Sequence, residues 1–239
     1  MKKLLTVLLS FLLLFTFISC DTEDTEAPST LDYDSTKIQE NMNSLIQDKG
    51  LYIEMEVSGR DENGETTQST IAYGETATAF YFCSDDEEML VDFSNEAYAL
   101  SYNRYGKDEK WEMEKITYAS IGLTRETYRQ NYSTYSAILF SYFGSYSVYS
   151  GLEMAKSSDK VAGRDCDKFV YKATVLGAES TYTFSVDKET GMCLKWEASA
   201  AALGVGSASA DFTCTKFEPS YTPAIPDAEE ILNNTQNGY

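Results

Sequence analysis

The chain of 239 residues has 19 basic and 38 acidic side chains, a formal net charge of −19 at pH 7, and no histidine. The missing histidine excludes Ser-His-Asp and Cys-His nucleophilic catalysis in their common forms and argues against a catalytic zinc site. The negative charge disfavours nucleic acid and anionic lipid headgroups as partners.

The first segment has the pattern of a secretory signal peptide. Lys2 and Lys3 precede an apolar run over residues 4–18. This run is too short, and too interrupted by hydroxyl side chains, for a transmembrane helix. Residues 1–19 are therefore predicted to be removed. The mature chain would then have 17 basic and 38 acidic side chains, a net charge of −21.

Residues 17–20, Phe-Ile-Ser-Cys, resemble a bacterial lipobox, in which the cysteine is acylated and becomes the first residue. The resemblance implies that Cys20 carries acyl chains such as palmitate. Each buried CH₂ group contributes about 0.8 kcal/mol, so two or three chains hold a protein stably on a membrane. The resemblance therefore predicts an envelope lipoprotein, at the outer membrane on its periplasmic face or at the cell surface. An ordinary signal peptide that ends near a cysteine is the alternative.

Residues 20–34 are predicted to form the lipidated cysteine and a flexible acidic tether. Residues 21–26 contain no apolar side chain and no helix cap, so they lack what a packed element needs. In some lipoproteins an aspartate directly after the cysteine resembles an inner-membrane retention mark. In others an acidic run there resembles a surface-export mark. The choice of membrane and of its face therefore stays open.

Four cysteines follow the lipobox, without the paired spacing of a zinc cluster. They are Cys83, Cys166, Cys193 and Cys214. In an oxidising envelope an even number favours at least one disulfide, and three pairings are open. Buried thiols that act as small apolar side chains are the alternative.

Residues 35–239 are predicted to form a single β-rich domain that begins with a helix over residues 35–49. Four apolar side chains share one face of this helix at helical spacing: Ile38, Met42, Leu45 and Ile46. A period of two then predicts a strand over residues 51–58, and Asn63-Gly64 is typical of a tight hairpin. Five further strands are predicted over residues 66–73, 76–83, 89–93, 97–103 and 110–118.

A tyrosine-rich helix is predicted over residues 123–146. Its apolar face recurs at steps of three and four residues and consists of Tyr128, Tyr132, Tyr135, Leu139, Tyr142 and Tyr146. Such a face can pack against a sheet as core. It can equally line a ligand cleft, because tyrosine hydroxyls need partners or water. Both interpretations stay open from the sequence.

Residues 161–218 return to alternating strands, and Trp196 lies on one of them. The stretch 198–210 consists almost entirely of small side chains, which allow a bulky element to approach a sheet closely. The tyrosine-rich helix is the candidate for that approach. Asp227 and Glu230 have the spacing of a capping box, with aspartate at the first position, and predict a short C-terminal helix.

Two stretches of this second half resemble envelope proteins similar to the lipoprotein carriers LolA and LolB and their mycobacterial lipoprotein relatives. They are residues 161–166, VAGRDC, and residues 184–195, FSVDKETGMCLK. The resemblance implies an α+β, mainly β fold, in which a curved antiparallel sheet (an incomplete barrel) is wrapped over an N-terminal and a central helix. It also implies an apolar cavity for acyl chains or other lipids, and no catalytic residues.

The sequence therefore predicts a monomeric, membrane-anchored, non-enzymatic lipoprotein without cofactor or metal, which binds a hydrophobic or lipid-like ligand under the sheet. The ligand-binding candidates are Tyr128, Tyr132, Tyr135, Leu139, Tyr142 and Trp196. The alternative is a structural or surface-interaction lipoprotein whose own side chains fill the core. A glycosidase is disfavoured, because 38 acidic residues make some close pair inevitable and no spacing singles one out.

Overall fold

The computed structural model describes residues 35–61, 64–132, 154–175, 178–202, 206–229 and 231. Helix α1 is Ser35–Asp48, a short 3₁₀ helix is Tyr118–Ile121, and residues 125–132 are helical and are called α2. The strands are β1 (Leu51–Arg60), β2 (Thr66–Glu75), β3 (Ala79–Ser84), β4 (Glu87–Asp92), β5 (Tyr98–Tyr105), β6 (Glu112–Thr117), β7 (Met154–Val161), β8 (Arg164–Val175), β9 (Ala178–Asp187), β10 (Cys193–Ala202) and β11 (Gly206–Glu218).

The strands form one antiparallel sheet in the order β6-β5-β4-β3-β2-β1-β11-β10-β9-β8-β7. Among the described residues the chain is mainly β with two α-helices, which confirms the predicted mainly β fold class. Contacts within the chain define two compact units. The first takes the described residues of Met1–Asn41, Met55–Ser69 and Ser141–Thr215, and the second those of Met42–Glu54, Thr70–Phe140 and Lys216–Tyr239. The boundaries predicted for the leader, the tether and a single domain stay a prediction.

Helix α1 confirms the predicted N-terminal helix to within one residue. Met42 and Ile46 on its apolar face are buried, and the side chain of Ile38 lies outside the described part. Gly50 follows the helix end by two residues, and its N–H donates to the Leu45 carbonyl at 3.0 Å. Gly50 has a φ of +77°, a left-handed conformation that glycine adopts without the penalty of a Cβ atom.

Strand β1 shows the predicted alternation, because every second side chain from its start is buried: Leu51, Ile53, Met55 and Val57. Successive side chains of a β-strand point to opposite faces of the sheet, so a period of two in the sequence places the apolar side chains on one buried face. The five predicted strands of residues 66–118 are present as β2 to β6, with shifted ends.

The sequence missed β7, because the return to sheet was predicted to begin at residue 161. Its residues read MAKSSDKV and carry too few apolar side chains to alternate visibly. The strand lies at one end of the strand order, and its described side chains before Val161 are mostly exposed. An edge strand of this kind is held by backbone pairing with β8 rather than by burial, so its hydrophobic pattern is weak.

At the small-residue stretch Ala202 pairs with Gly206 across β10 and β11, and residues 203–205 between them lie outside the described part. Ala198 pairs with Ala210, and both side chains are buried. Of the helix predicted over residues 123–146 to approach them, residues 133–146 lie outside the described residues. At the C-terminus Asp227 Oδ1 accepts the N–H of Glu229 at 2.9 Å, as expected of a capping aspartate, while Glu230, the other residue of the predicted capping box, lies outside the described residues.

The expectation of a disulfide is wrong for the four cysteines of residues 83–214, none of which forms one. Cys166 pairs in register with Asp187 on one side of β9, and Cys193 pairs with Val186 on its other side. Two strand spacings of about 4.8 Å put their Cα atoms about 10 Å apart. Disulfides need Cα atoms within about 7 Å.

None of the described helices has the length and apolar character needed to cross a membrane.

A side-chain hydrogen bond from β9 to β7 gives a prediction about how the stability of the fold depends on pH. The buried Ser185 hydroxyl donates to Asp159 Oδ2 at 2.7 Å. This bond lowers the pKa of Asp159 below its ordinary value of 3.8, and partial burial only partly opposes it. A lowered carboxyl pKa adds stability above the unfolded pKa, and that contribution is lost as the pH falls through the folded value. We expect Ser185→Ala to lower the free energy of unfolding by about 1 kcal/mol at pH 7.

The measurement is urea unfolding of the wild type and of Ser185→Ala at steps from pH 7 to pH 3. The difference between them should be constant down to about pH 5 and shrink below pH 4. Ser157→Ala, at an exposed position of β7, is the control and should change little at any pH. A Ser185→Ala deficit that stays constant to pH 3 would contradict the assignment.

Candidate functional site

Helix α2 lies in the second unit and packs its tyrosines onto an aromatic cluster of the sheet. The ring of Tyr128 lies 6.1 Å from Phe93 and 5.8 Å from Tyr118. The ring of Tyr132 lies 5.2 Å from Phe80 and 5.5 Å from Phe93. These centroid separations are in the range of favourable tilted and edge-to-face aromatic pairs. The described start of the tyrosine-rich helix is therefore core, and the ligand role of Tyr128 and Tyr132 stays a prediction.

The hydroxyls of Tyr128 and Tyr132 lie 3.0 Å apart and hydrogen-bond to each other. The two residues are one helical turn apart, which brings their side chains to the same face. The mutual bond satisfies one polar group with another at the edge of an apolar cluster. It removes part of the reason to expect water or a ligand at these two hydroxyls.

A buried ion pair lies beside this cluster and was not predicted from the sequence. Glu75 at the end of β2 is 5% exposed, and the Tyr73 hydroxyl donates to one of its carboxylate oxygens. The other oxygen lies 3.3 Å from Nη2 of Arg129 on α2. The Arg129 Nε is also buried, and it donates to no acceptor among the described residues. An unsatisfied buried donor costs about 1–3 kcal/mol, so this atom is available to a bound acceptor.

Trp196 belongs to the first unit, on β10, and is 3% exposed. Its ring is stacked on that of Phe212, with centroids 6.2 Å apart and an interplanar angle of 20°. In the strand register Trp196 lies between Phe184 on one neighbour and Phe212 on the other. It is a core residue of this unit, and its predicted contact with a ligand stays a prediction.

The remaining candidates lie outside the described residues. They are Cys20, Tyr135, Leu139 and Tyr142. Their predicted roles in lipidation and ligand binding stay predictions.

The two stretches that carry the family resemblance contact each other in the first unit through an ion pair between Arg164 and Asp187. Arg164, in the first stretch, donates from Nε and Nη2 to the two oxygens of Asp187 at 3.0 and 2.8 Å. Asp187, in the second stretch, also accepts the N–H and hydroxyl of Thr190 at 2.9 and 2.7 Å. The pair holds the turn between β9 and β10 in shape. Its residue types serve folding, which is why the motif predicts fold better than function.

Three of the buried or half-buried thiols are poor nucleophiles. Burial raises the pKa of Cys166 to about 11 and raises the pKa of Cys83 and Cys193 above the ordinary value. A thiol must ionise to attack a substrate, so these groups stay protonated at neutral pH. Among the described residues, no three cysteine, aspartate or glutamate side chains come together as a metal site.

A surface groove of about 850 Å³ lies in the second unit, and sequence reasoning did not identify it. It runs between the start of β6 and the C-terminal segment, defined here as residues 224–231. Its lining residues are Glu109, Lys110, Trp111, Glu112, Met113, Ala224, Ile225, Pro226, Asp227 and Ile231. The two sides are more than a hundred residues apart in the chain, so no local pattern indicates the groove.

Comparison with solved structures found chains of low similarity to this one. A DUF1329 family protein from Desulfovibrio piger ATCC 29098 has a TM-score of 0.27 at 11% identity, over 81% of this chain and 94% of that one. An outer membrane lipoprotein-sorting protein domain from Vibrio parahaemolyticus has a TM-score of 0.23 at 8% identity, over 84% and 99% of the two chains. A LolA superfamily protein from Nitrosomonas europaea has a TM-score of 0.21 at 6% identity, over 80% and 96%.

No family model and no curated protein matches the chain. A LolA superfamily member, from the group that the sequence resemblance named, is among the similar structures. Because all three TM-scores are below 0.3, the function of this chain has to follow from its own residues.

Proposed function

We propose that the protein is a lipid-anchored, non-enzymatic envelope protein that carries or senses a hydrophobic ligand between its sheet and the tyrosine-rich helix. The observation that supports this most is Arg129, a half-buried arginine on that helix whose buried Nε is left unused by the described residues. An arginine beside aromatic side chains suits the acidic head of an amphiphile, because its guanidinium binds carboxylate or phosphate with fixed geometry.

The ligand chain would lie further along the helix than Tyr132. Rings of the sheet fill the space around Tyr128 and Tyr132. Tyr135, Leu139 and Tyr142 continue the same face in the sequence, and they are the proposed contacts of the apolar chain. An acyl chain that buries roughly 300 Å² of apolar surface would gain about 7 kcal/mol before the costs of ordering it.

The test is uptake of a fluorescent fatty acid by the purified mature protein, together with native mass spectrometry and lipid extraction. We expect saturable uptake and a bound mass, and Leu139→Asp should weaken uptake at least tenfold because it places a charge among apolar contacts. Gln130→Asp, at an exposed position of α2, is the matched control and should bind like the parent. A clean apo mass together with no uptake would reject the ligand.

A scaffold or surface-interaction lipoprotein with a filled core is the second candidate. The tight ring contacts of Tyr128 and Tyr132 favour it, because the described part of the helix leaves no room for a ligand there. Rejection of the ligand in the uptake experiment would select this candidate.

The proposed anchor is Cys20, with the acidic tether between it and the folded part. Metabolic labelling with an alkynyl palmitate should mark the wild type and leave Cys20→Ala unmarked. Protease treatment of intact cells separates the two proposed faces, because only a surface protein is cleaved before the outer membrane is broken.

A further inference from the structure

The groove between β6 and the C-terminal segment has an apolar floor and an acidic rim. Trp111, Met113 and Ile231 are half-buried, while Ile225 is 43% exposed. Three acidic side chains are exposed at its margin, Glu109, Glu112 and Asp227, and Lys110 carries the one positive charge of the lining. The lining therefore carries a net charge of −2 around its apolar surface.

The indole of Trp111 is held in place from the neighbouring strand. The guanidinium carbon of Arg104 lies 4.6 Å from the ring centroid, a cation–π contact. Arg104 is itself fixed, because it forms an ion pair with Glu88 and donates from Nη1 to the Lys107 carbonyl at 2.9 Å. An aromatic side chain that is already ordered loses little entropy on binding, which makes it a suitable anchor for a partner.

Strand β6 also has an edge that no described strand pairs with. It pairs with β5 on one side, for example Glu112 with Asn103, and no strand of the described chain pairs with it on the other. An unpaired strand edge presents alternating N–H and C=O groups that an extended segment can join as a further strand.

We propose that this groove docks an extended, cationic and apolar segment of a partner protein, which adds to β6 as a strand. The basic side chains of such a segment would meet Glu109, Glu112 and Asp227, and its apolar side chains would cover Trp111 and Ile225. The sign of the rim excludes acidic segments, including the chain's own acidic tether, because like charges across an interface are repelled. The proposal is independent of a ligand at the tyrosine-rich helix.

The test is isothermal titration of the purified wild type with a ten-residue peptide of alternating lysine and valine. We expect saturable binding that weakens as salt is raised. The same peptide with glutamate for lysine should not bind. A version with N-methyl groups on alternate residues, which cannot complete strand pairing, should bind at least tenfold more weakly. Equal binding of the N-methylated peptide, or no binding of the parent peptide, overturns the proposal.

Variants locate the site on the protein. Glu112→Lys and Ile225→Ser should each weaken binding at least tenfold. Glu126→Lys and Ile121→Ser make the same chemical changes at exposed positions outside the groove and should leave binding unchanged. Circular dichroism and the urea midpoint show that each variant is folded. The chain has two tryptophans, so Trp196→Phe leaves Trp111 as a fluorescent reporter that should shift to the blue on binding. Equal loss in groove and control variants contradicts the location.

Discussion

Asp187→Ala should lower the free energy of unfolding by about 3–5 kcal/mol, which is a large part of the stability of an ordinary domain. The carboxylate is 1% exposed and accepts two bonds from Arg164 and two from Thr190. Removing it leaves the half-buried Arg164 guanidinium without its main counter-charge. Breaking one partner of a buried pair is costly for that reason, whatever the net worth of the intact pair.

Urea unfolding of the wild type and of Asp187→Ala, followed by circular dichroism, measures this loss. Glu189→Gln is the matched control, because Glu189 also pairs with Arg164 at 2.8 Å but its side chain is 78% exposed. Exposed pairs contribute at most about 1 kcal/mol, so the control should stay near the wild type. Similar midpoints for Asp187→Ala and Glu189→Gln would show that burial does not make this interaction important.

Gly50→Ala is the second substitution with a large expected effect, a loss of about 2–5 kcal/mol in the free energy of unfolding. Its φ of +77° costs a residue with a Cβ atom about 1–2 kcal/mol. A Cβ at this position would also lie 2.4 Å from the backbone oxygen of Tyr221. The Tyr221 N–H is bonded to the Lys49 carbonyl at 3.0 Å, so this backbone cannot retreat without losing a hydrogen bond. Relieving such overlap typically costs a further 1–3 kcal/mol.

Gly122→Ala separates the two causes, because Gly122 has a φ of +70° and nothing within 4 Å of an added Cβ. We expect it to lose only about 1–2 kcal/mol, the conformational part alone. Thermal unfolding of the two variants beside the wild type measures both losses. Equal losses at Gly50 and Gly122 would mean that the contact with Tyr221 yields freely.

Local patterns predicted the elements whose side chains alternate between core and solvent. Strand β1 and helix α1 were visible because burial on one face imposes a period of 2 or 3.6 on the sequence. Strand β7 was not visible in the sequence, because its side chains are mostly exposed to solvent and backbone pairing with β8 holds it in place. The expected disulfide failed because cysteine count carries no information on strand register.

The sites were harder to predict because their members are distant in the chain. Glu75 and Arg129 are 54 positions apart, and Arg129 lies beside the tyrosine stripe rather than in it. The groove joins Trp111 to Ile225, which no spacing rule connects. Family resemblance identified the Arg164 and Asp187 stretches, whose role turned out to be structural. Sequence patterns therefore indicated the scaffold, whereas the chemistry depends on pairings that only the folded chain reveals.

The lysines of β7 affect whether copies of this chain can pair through their outer strands. Lys156 and Lys160 stand at the exposed margin of the sheet and lean toward Asp167 and Asp165 on β8. Charged side chains on an outer strand discourage neighbouring copies from stacking margin to margin. Copies of this chain at high concentration would thus be kept from joining β7 to β7 into fibrils.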